Sequence, residues 1–166
     1  MKYIFIVNPN SGNAKHEISL SFLQSKFPSG DEIVLKNTIY QFHAKELVQE
    51  AINENADVIV ACGGDGTINE VASALVDKNI PLGIIPAGSG NGLAANLNIP
   101  KDINKALHII QHNSIRTIDV GRVEDNYFFS NLGFGIDAEV IQAYEQNQKR
   151  TIAGYFDASV KTLLNY

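Results

Sequence analysis

The chain has 166 residues, of which 45% are apolar and 19% are charged, and its formal net charge is -5 at pH 7. This composition indicates a folded globular chain with room for one domain and part of another. The acidic balance and the lack of a Lys/Arg run exclude an extended nucleic-acid surface as a partner site. A free nucleotide remains compatible, because backbone N–H groups can bind phosphate. The single cysteine, Cys62, excludes an intrachain disulfide.

The cellular location is predicted from the absence of targeting signals. The apolar run after Lys2 is too short for a signal peptide, and turn residues follow it directly. No stretch approaches the roughly 18 apolar residues of a membrane span. We therefore expect a soluble, cytoplasmic chain.

The first two thirds of the chain alternate between apolar, β-branched runs and segments with apolar residues at helical spacing. The runs predict strands at 2–8, 32–37, 57–62 and 80–88, and the segments predict helices at 14–26, 42–55, 68–77 and 103–112. Such alternation predicts an α/β fold of the Rossmann-like kind, with a mostly parallel sheet and helices on both faces.

The pattern changes after residue 113, where a second unit is predicted to start. Strand patterns at 116–123 and 127–135 flank a turn at Glu124–Asn126 and predict an antiparallel hairpin. Helical patterns follow at 137–150 and 151–166. Two strands and two helices are few for an independent domain. Either the second unit, residues 114–166, packs on the first, residues 1–113, or it is incomplete.

Three loops rich in Gly and small polar residues follow predicted strands: NPNSG (8–12), GGDGT (63–67) and PAGSGNG (86–92). In an open α/β sheet, ligands bind at the carboxyl ends of the strands, where such loops lie. Neither glycine loop matches the Walker A spacing or the G-x-G-x-x-G dinucleotide fingerprint.

The GGDGT loop has two readings. Thr67 and Glu70 have the spacing of a capping box, which would make the loop only a turn before a helix. Three glycines favour instead a close approach of phosphate to the backbone at a helix N-terminus. Asp65 would repel a phosphate unless it holds a metal or accepts a proton from a hydroxyl nucleophile, which favours a chemical role.

Four segments together resemble the diacylglycerol kinase catalytic family, which includes bacterial lipid kinases, sphingosine kinases and ceramide kinases. They are NPNSG, GGDGTINEV, GIIPAGSGNGLA and FFSNLGFGIDAEV, in this order along nearly the whole chain. GGDGT alone is less specific, because NAD kinases and phosphofructokinases also carry it. The resemblance implies an NAD kinase/diacylglycerol kinase-like first domain, and a β-sandwich-type second domain of which this chain holds the start.

The resemblance also implies ATP and Mg²⁺ as cofactors, with the glycine loops holding the ATP phosphates. Asp65 is the candidate general base or metal helper, and no residue is assigned as a metal ligand. Glu70 is expected either to contact nucleotide or Mg²⁺ or to cap the helix. The nucleotide-binding residues implied are Asn8, Pro9, Asn10, Ser11, Gly12, Thr38, Gly63, Gly64, Asp65, Gly66, Thr67, Ile68, Asn69, Glu70, Gly88, Ser89 and Asn91.

Two acids, Asp119 and Asp137, match acidic positions that line the family's cleft and are implied to bind the lipid substrate, although Asp137 also fits a helix N-cap. Two departures stand out. Gly92 occupies a position that is Asp in many bacterial members, so the identity of the acceptor lipid is not implied by the resemblance. The chain is also considerably shorter than family members, which carry a Mg²⁺ site and a catalytic acid in the second domain.

The sequence thus predicts an ATP-dependent kinase that phosphorylates a lipid hydroxyl of the diacylglycerol or sphingoid type. Two alternatives remain open: a nucleotide-binding module that is inactive alone, and an NAD kinase-like enzyme. The implied partners are ATP and a lipid at the membrane surface, with no nucleic acid, so a peripheral membrane location accompanies the cytoplasmic one. The sequence leaves the oligomeric state open, a homo-oligomer included.

Overall fold

The computed structural model describes residues 1–12, 18–112, 114–130, 139–140 and 159–160. The chain divides into two compact units, Met1–Ser130 and Asn131–Tyr166, and the description below concerns the first. Its elements in chain order are β1 (Lys2–Val7), α1 (Leu20–Lys26), β2 (Glu32–Asn37), α2 (His43–Asn53), β3 (Val58–Gly63), α3 (Asp65–Leu75), β4 (Leu82–Pro86), α4 (Gly92–Asn96), α5 (Ile103–Gln111), β5 (Gly121–Val123) and β6 (Asn126–Phe128).

Four strands form one parallel sheet in the order β2-β1-β3-β4. The α/β prediction with a parallel sheet is therefore confirmed. The chain starts in the middle of the sheet at β1, moves outward to β2, and then returns to the other side of β1 through β3. The strand order thus reverses between β1 and β3. In open α/β sheets, ligands bind beyond the carboxyl ends of the strands at this point of reversal.

Both faces of the sheet are buried, because successive strand residues point to opposite sides. Ile4 and Ile6 belong to the core formed with α2, α3 and α4. Phe5, Val60 and Cys62 belong to the core on the other face, formed with α1 and α5. Cys62 is 1% exposed, and burial raises the pKa of its thiol. It is a small core residue and not a reactive one.

The element boundaries differ from the predictions in two places that matter for the site. Helix α3 begins at Asp65, three residues before the predicted start. The short helix α4 was not predicted, since its five residues follow directly on a glycine-rich loop. Its N-cap, Asn91, lies in the left-handed region and makes no side-chain cap hydrogen bond, unlike the usual extended N-cap whose side chain bonds the first turn.

The predicted hairpin is present, although its strands are shorter than predicted. Strands β5 and β6 pair antiparallel, with Gly121 opposite Phe128 and a turn at 124–125 where Glu124 has φ 52°. Residues 114–120 form no regular element. The predicted helices at 137–150 and 151–166 lie outside the described residues, apart from helical residues at 139–140 and 159–160. The predicted domain boundary at residue 113 stays a prediction.

Membrane-spanning segments were also sought in the part of the chain that the structure describes. None of its helices combines the length and the apolar character needed to cross a bilayer.

Candidate functional site

The loops after all four parallel strands meet at the carboxyl edge of the sheet. The N–H of Asn8, directly after β1, donates to the carbonyl of Cys62 at 2.9 Å, and the N–H of Ala87, after β4, donates to that of Gly63 at 2.8 Å. On the other side, the N–H of Thr38 after β2 donates to the carbonyl of Val7 at 2.8 Å. The structure therefore brings together the glycine-rich loops at the point where the strand order reverses.

Helix α3 presents an uncapped N-terminus at this edge. Its N-cap is Gly64, which has an extended backbone and no side chain, and its first hydrogen bond runs from Ile68 N–H to Gly64 O at 3.0 Å. The N–H groups of Asp65, Gly66 and Thr67 come before that bond and so have no acceptor within the helix. Asp65 and Gly66 are exposed. Free N–H groups and the positive end of the helix dipole favour an anion at such a position.

Of the two interpretations of the GGDGT loop, the capping box is wrong. Thr67 lies inside the first turn of α3 and is 7% exposed, and its hydroxyl accepts from Asn8 Nδ2 at 3.1 Å. Glu70 accepts instead from the N–H of Phe42 at 3.3 Å, which ties α3 to the start of α2. The capping box fails because the helix starts at Asp65 and Thr67 therefore cannot be its N-cap. The buried position of Thr67 also explains why residue 63 is a glycine, since a Cβ on Gly63 would lie 2.6 Å from the Cβ of Thr67.

The NPNSG loop folds over the start of α3. Asn8 Oδ1 accepts from the N–H of Asn10 at 3.0 Å, and its carbonyl accepts from the N–H of Ser11 at 3.2 Å, which makes a tight turn. Ser11 Oγ accepts from the N–H of Gly64 at 3.3 Å. A hydroxyl from a distant loop therefore satisfies the N–H of the N-cap residue itself, and it does not bond the N–H groups of the first turn of α3. Pro9, Asn10 and Gly12 are exposed.

The loop after β4 packs its backbone directly on the GGDGT loop. A Cβ on Gly88 would lie 2.5 Å from Gly64 Cα, so glycine is required at this contact. Asn91 is 1% exposed and hydrogen-bonds Gly88 through both ends of its amide. Ser89, by contrast, is exposed. The structure thus separates a buried Asn from an exposed Ser within one predicted nucleotide loop.

Asp65 is an exposed carboxylate that the loop after β4 holds in place. Its Oδ2 accepts from the N–H of Asn91 at 2.8 Å. A Cβ on Gly90 would lie 2.9 Å from the same oxygen, and one on Gly92 would lie 3.8 Å from Oδ1 and 3.4 Å from Ser130 Oγ. The two glycines leave space beside the carboxylate. Ser130, which also accepts from Asn96 Nδ2 at 3.1 Å, borders this space and was not singled out from the sequence.

The loop after β2 adds Thr38 and an unusual Phe42. Thr38 is 8% exposed, so little of its surface is open to a ligand. Phe42 has φ 67°, which is costly for a bulky residue, and is 56% exposed. Next to it, the hydroxyl of Tyr40 donates to the carboxylate of Glu46 at 2.7 Å, and this hydrogen bond raises the pKa of Tyr40. Only the positive φ distinguishes Phe42, and no sequence pattern signals it.

The two predicted substrate-binding acids are not brought into this site by any described contact. Asp119 is exposed on the irregular segment 114–120, and no hydrogen bond described for it joins it to the glycine loops. Asp137 lies outside the described residues. No group of three or more His, Cys, Asp or Glu side chains suited to a metal is present among the residues described. The lipid-facing side of the site therefore stays a prediction.

Comparison with known proteins identifies the family. Residues 2–123 match the model of the "Diacylglycerol kinase catalytic domain". The chain belongs to the diacylglycerol kinase catalytic domain family. The matched range contains all three glycine-rich loops.

Individual members of the diacylglycerol kinase family agree with this assignment. A diacylglycerol kinase of Bacillus subtilis (strain 168) is 38% identical over 134 residues, covering 78% of this chain and 44% of the relative. A diacylglycerol kinase of Staphylococcus aureus (strain bovine RF122 / ET3-1) is 33% identical over 159 residues, covering 94% of this chain and 50% of the relative. The chain thus spans about half the length of the curated relatives that it matches.

A solved structure supports the fold of this diacylglycerol kinase family member. The crystal structure of a diacylglycerol kinase from Bacillus anthracis str. Sterne aligns with a TM-score of 0.62 and 28% sequence identity. The alignment covers 76% of this chain and 47% of that chain.

The hydrogen bond between Asn8 and Thr67 gives a first testable prediction. Thr67→Val keeps the shape of the side chain but removes the acceptor for Asn8 Nδ2, now 3.1 Å away. We expect a loss of about 1 kcal/mol in the free energy of unfolding, measured by urea denaturation. In a chain that already carries Asn8→Ala, the same change should cost much less, because the donor is gone. Equal costs in both backgrounds would contradict the assignment of this bond.

Proposed function

We propose that this chain is the nucleotide-binding part of an ATP-dependent kinase that phosphorylates a lipid hydroxyl with the help of Mg²⁺. Membership of a family whose relatives are named diacylglycerol kinases supports the kinase class. The single observation that carries the proposal is the uncapped N-terminus of α3 at the reversal of strand order, with Gly66 exposed on its first turn.

Gly66 supports a phosphate at this position because the fold itself does not need a glycine there. A Cβ on Gly66 would meet nothing within 4 Å, and its φ lies outside the left-handed region. Within a helix, glycine is less favourable than alanine by up to about 1 kcal/mol. The neighbouring glycines differ, since Gly63 and Gly88 are required by close packing. A glycine at this otherwise unconstrained position is explained if a ligand approaches the backbone of residue 66 closely, because a Cβ would then be in its way.

The residues of the site fit a nucleotide with its metal. Mg²⁺ is usually held by one or two carboxylates together with substrate phosphates, and Asp65 offers an exposed carboxylate beside the free N–H groups. When bound, the metal neutralises charge that develops on the transferred phosphoryl group. The N–H groups of Asp65 to Thr67 hold the phosphates, and Asp65 accepts the proton of the acceptor hydroxyl or orients the metal. Gly90 and Gly92 leave room beside it.

The test is the thermal midpoint of the chain with and without Mg-ATP, and with NAD as the competing ligand. A ligand at a hundred times its Kd stabilises a folded protein by about 2.7 kcal/mol, or roughly 5–10 °C for a chain of this size. We expect this rise with Mg-ATP and none with NAD. A rise with NAD alone would favour the NAD kinase-like alternative. No rise with either ligand would contradict the proposed nucleotide site.

Gly66→Ala makes the same test specific to the phosphate position. The methyl group meets open space in the fold, so we expect an unchanged or higher midpoint without ligand. It would collide with a phosphate on the first turn of α3, so most of the Mg-ATP rise should be lost. Gly30→Ala is the matched control, because a Cβ there also meets nothing within 4 Å and Gly30 lies in the turn before β2. A full Mg-ATP rise in Gly66→Ala would contradict the proposal.

A nucleotide-binding module that is inactive alone is the second candidate, favoured by the coverage of about half of each relative. Incubation of the chain with γ-labelled ATP, Mg²⁺ and diacylglycerol-containing vesicles separates the two. Labelled lipid supports the kinase, and a Mg-ATP midpoint rise without labelled lipid supports the module. In the kinase case the protein works at the membrane surface from the cytoplasm.

A further inference from the structure

Asn91 is the most deeply buried polar side chain of the site. It is 1% exposed, although it belongs to a loop whose neighbouring Ser89 and Gly90 are exposed. Its backbone has φ 62°, in the left-handed region that Asn and Gly tolerate and other residues avoid. The family resemblance implies a nucleotide contact for this residue. Its burial instead indicates a role inside the protein.

Every polar group of Asn91 has a partner within the protein. The side-chain oxygen accepts from the N–H of Gly88 at 2.8 Å, and the side-chain nitrogen donates to the carbonyl of Gly88 at 2.6 Å. The backbone N–H donates to Asp65 Oδ2 at 2.8 Å, and the backbone carbonyl accepts from Ala95 at 2.9 Å. Each of these four groups therefore has a partner inside the protein, and a side chain that is 1% exposed offers almost no surface to a nucleotide.

The partners of Asn91 are the two positions that shape the start of α3. Gly88 packs its backbone on Gly64, which is the N-cap of the helix. Asp65 is the first residue of the helix and the candidate general base or metal helper. Asn91 therefore holds the N-cap through Gly88 and the carboxylate of Asp65 through its own N–H. One residue of the loop after β4 fixes the loop after β3 in two places.

The chemistry of the position selects Asn over its nearest substitutes. Gly would adopt the left-handed backbone but has no amide to pair with Gly88. Asp would tolerate the backbone and could accept from the N–H of Gly88, but its second carboxylate oxygen would face the carbonyl of Gly88 instead of donating to it. Only Asn combines the backbone conformation with one acceptor and one donor aimed at the same residue.

We propose that Asn91 is a positioning residue that sets Gly64 and Asp65 for phosphate binding without touching the nucleotide itself. The inference rests on the proposed function, since it names what holds that same site in its binding geometry. It replaces the expected direct contact of Asn91 with an indirect one through Asp65 and Gly88.

The test measures Mg-ATP affinity in Asn91→Gly, which keeps the left-handed backbone and the N–H but removes both side-chain bonds to Gly88. Asn55→Gly is the matched control, because Asn55 also has a positive φ of 58°, is exposed, and lies after α2. Titrations are run at a temperature where circular dichroism shows each variant fully folded. We expect at least a tenfold weaker Kd for Asn91→Gly and an unchanged Kd for Asn55→Gly. An unchanged Kd for Asn91→Gly would overturn the proposal.

A double-mutant cycle with Asp65→Ala separates positioning from direct contact. The backbone N–H of residue 91 that holds Asp65 is itself kept in place by the side-chain bonds to Gly88. Asn91→Gly should therefore weaken Mg-ATP binding several-fold less in the Asp65→Ala background than in the wild type. Equal fold-changes in both backgrounds would overturn the positioning of Asp65 by Asn91. Absence of Mg-ATP binding by the wild-type chain would instead overturn the proposed function, and the positioning role with it. The same double-mutant cycle, measured on the free energy of unfolding without ligand, reports separately how strongly the loops after β3 and β4 stabilise each other.

Discussion

Gly88→Ala is expected to destabilise the chain by about 2–3 kcal/mol or more. This is one of the largest effects expected for a glycine-to-alanine substitution in the site. The new Cβ would lie 2.5 Å from Gly64 Cα and 3.0 Å from Asn91 Oδ1. The first of these neighbours is backbone, so no side-chain rotation can relieve the contact. Relief requires the loops after β3 and β4 to move apart, which also breaks the hydrogen bonds between Asn91 and Gly88.

Urea denaturation and thermal melting of Gly88→Ala measure this effect, with an expected fall in midpoint of roughly 5–10 °C. Two further variants give a graded control. In Gly64→Ala the nearest atom is 3.3 Å away, so the cost should be smaller, and in Gly30→Ala there is no neighbour within 4 Å. The expected order of destabilisation is Gly88, then Gly64, then Gly30. A Gly88→Ala chain as stable as Gly30→Ala would show that the two loops do not meet as described.

Asp65→Asn is expected to remove phosphoryl transfer while leaving the fold intact. The amide oxygen of Asn can still accept from the N–H of Asn91, at present 2.8 Å from Oδ2, so the loop keeps its anchor. An amide cannot accept a proton at neutral pH, and loss of a general base lowers turnover by about 10²–10⁴-fold. The rate of label transfer from ATP to lipid is measured in a form of the protein that is active. The unfolding midpoint of this chain is measured with it and checks that the fold is intact.

Two companion measurements decide what Asp65 does. Asp65→Ala loses the anchor as well as the charge, so it should be less stable than Asp65→Asn by about 1 kcal/mol. The dependence of ATP binding on Mg²⁺ distinguishes the two chemical roles. A metal helper predicts that Asp65→Asn loses the gain in ATP affinity that Mg²⁺ gives the wild type, whereas a general base predicts that the gain remains. Unchanged turnover in Asp65→Asn would remove Asp65 from the mechanism.

Patterns among residues close in sequence were enough to predict most of the strands and to locate the three glycine-rich loops. The apolar runs around Ile4 and Ile59 predict buried strands, and the structure has them as β1 and β3. Strand β2 was predicted at its observed limits, Glu32–Asn37. The three glycine-rich loops follow strands, as predicted, because Gly, Pro, Asn and Ser end regular structure wherever they cluster. The family resemblance also depends on these short local motifs, and the match over residues 2–123 bears it out.

The roles of individual residues within the loops were decided by partners far away in sequence. Thr67 has the pattern of a helix cap, yet its hydroxyl pairs with Asn8, and the N-cap N–H is satisfied by Ser11. Glu70 has the pattern of the reciprocal cap, yet it pairs with Phe42. Local propensity cannot foresee these pairs, because each depends on which loops the strand order brings together.

By itself, the sequence determined an α/β chain with a parallel sheet, a buried Cys62 and a kinase family membership carried by short motifs. Only the tertiary structure decided that β1 and β3 are neighbours, which sets the reversal of strand order beside the GGDGT loop. It also decided that Asn91 is buried and tied to Asp65 and Gly88. The physical reason is that strand pairing and loop-to-loop hydrogen bonds join residues tens of positions apart, whereas sequence patterns report mainly on neighbours within a turn or two of the chain.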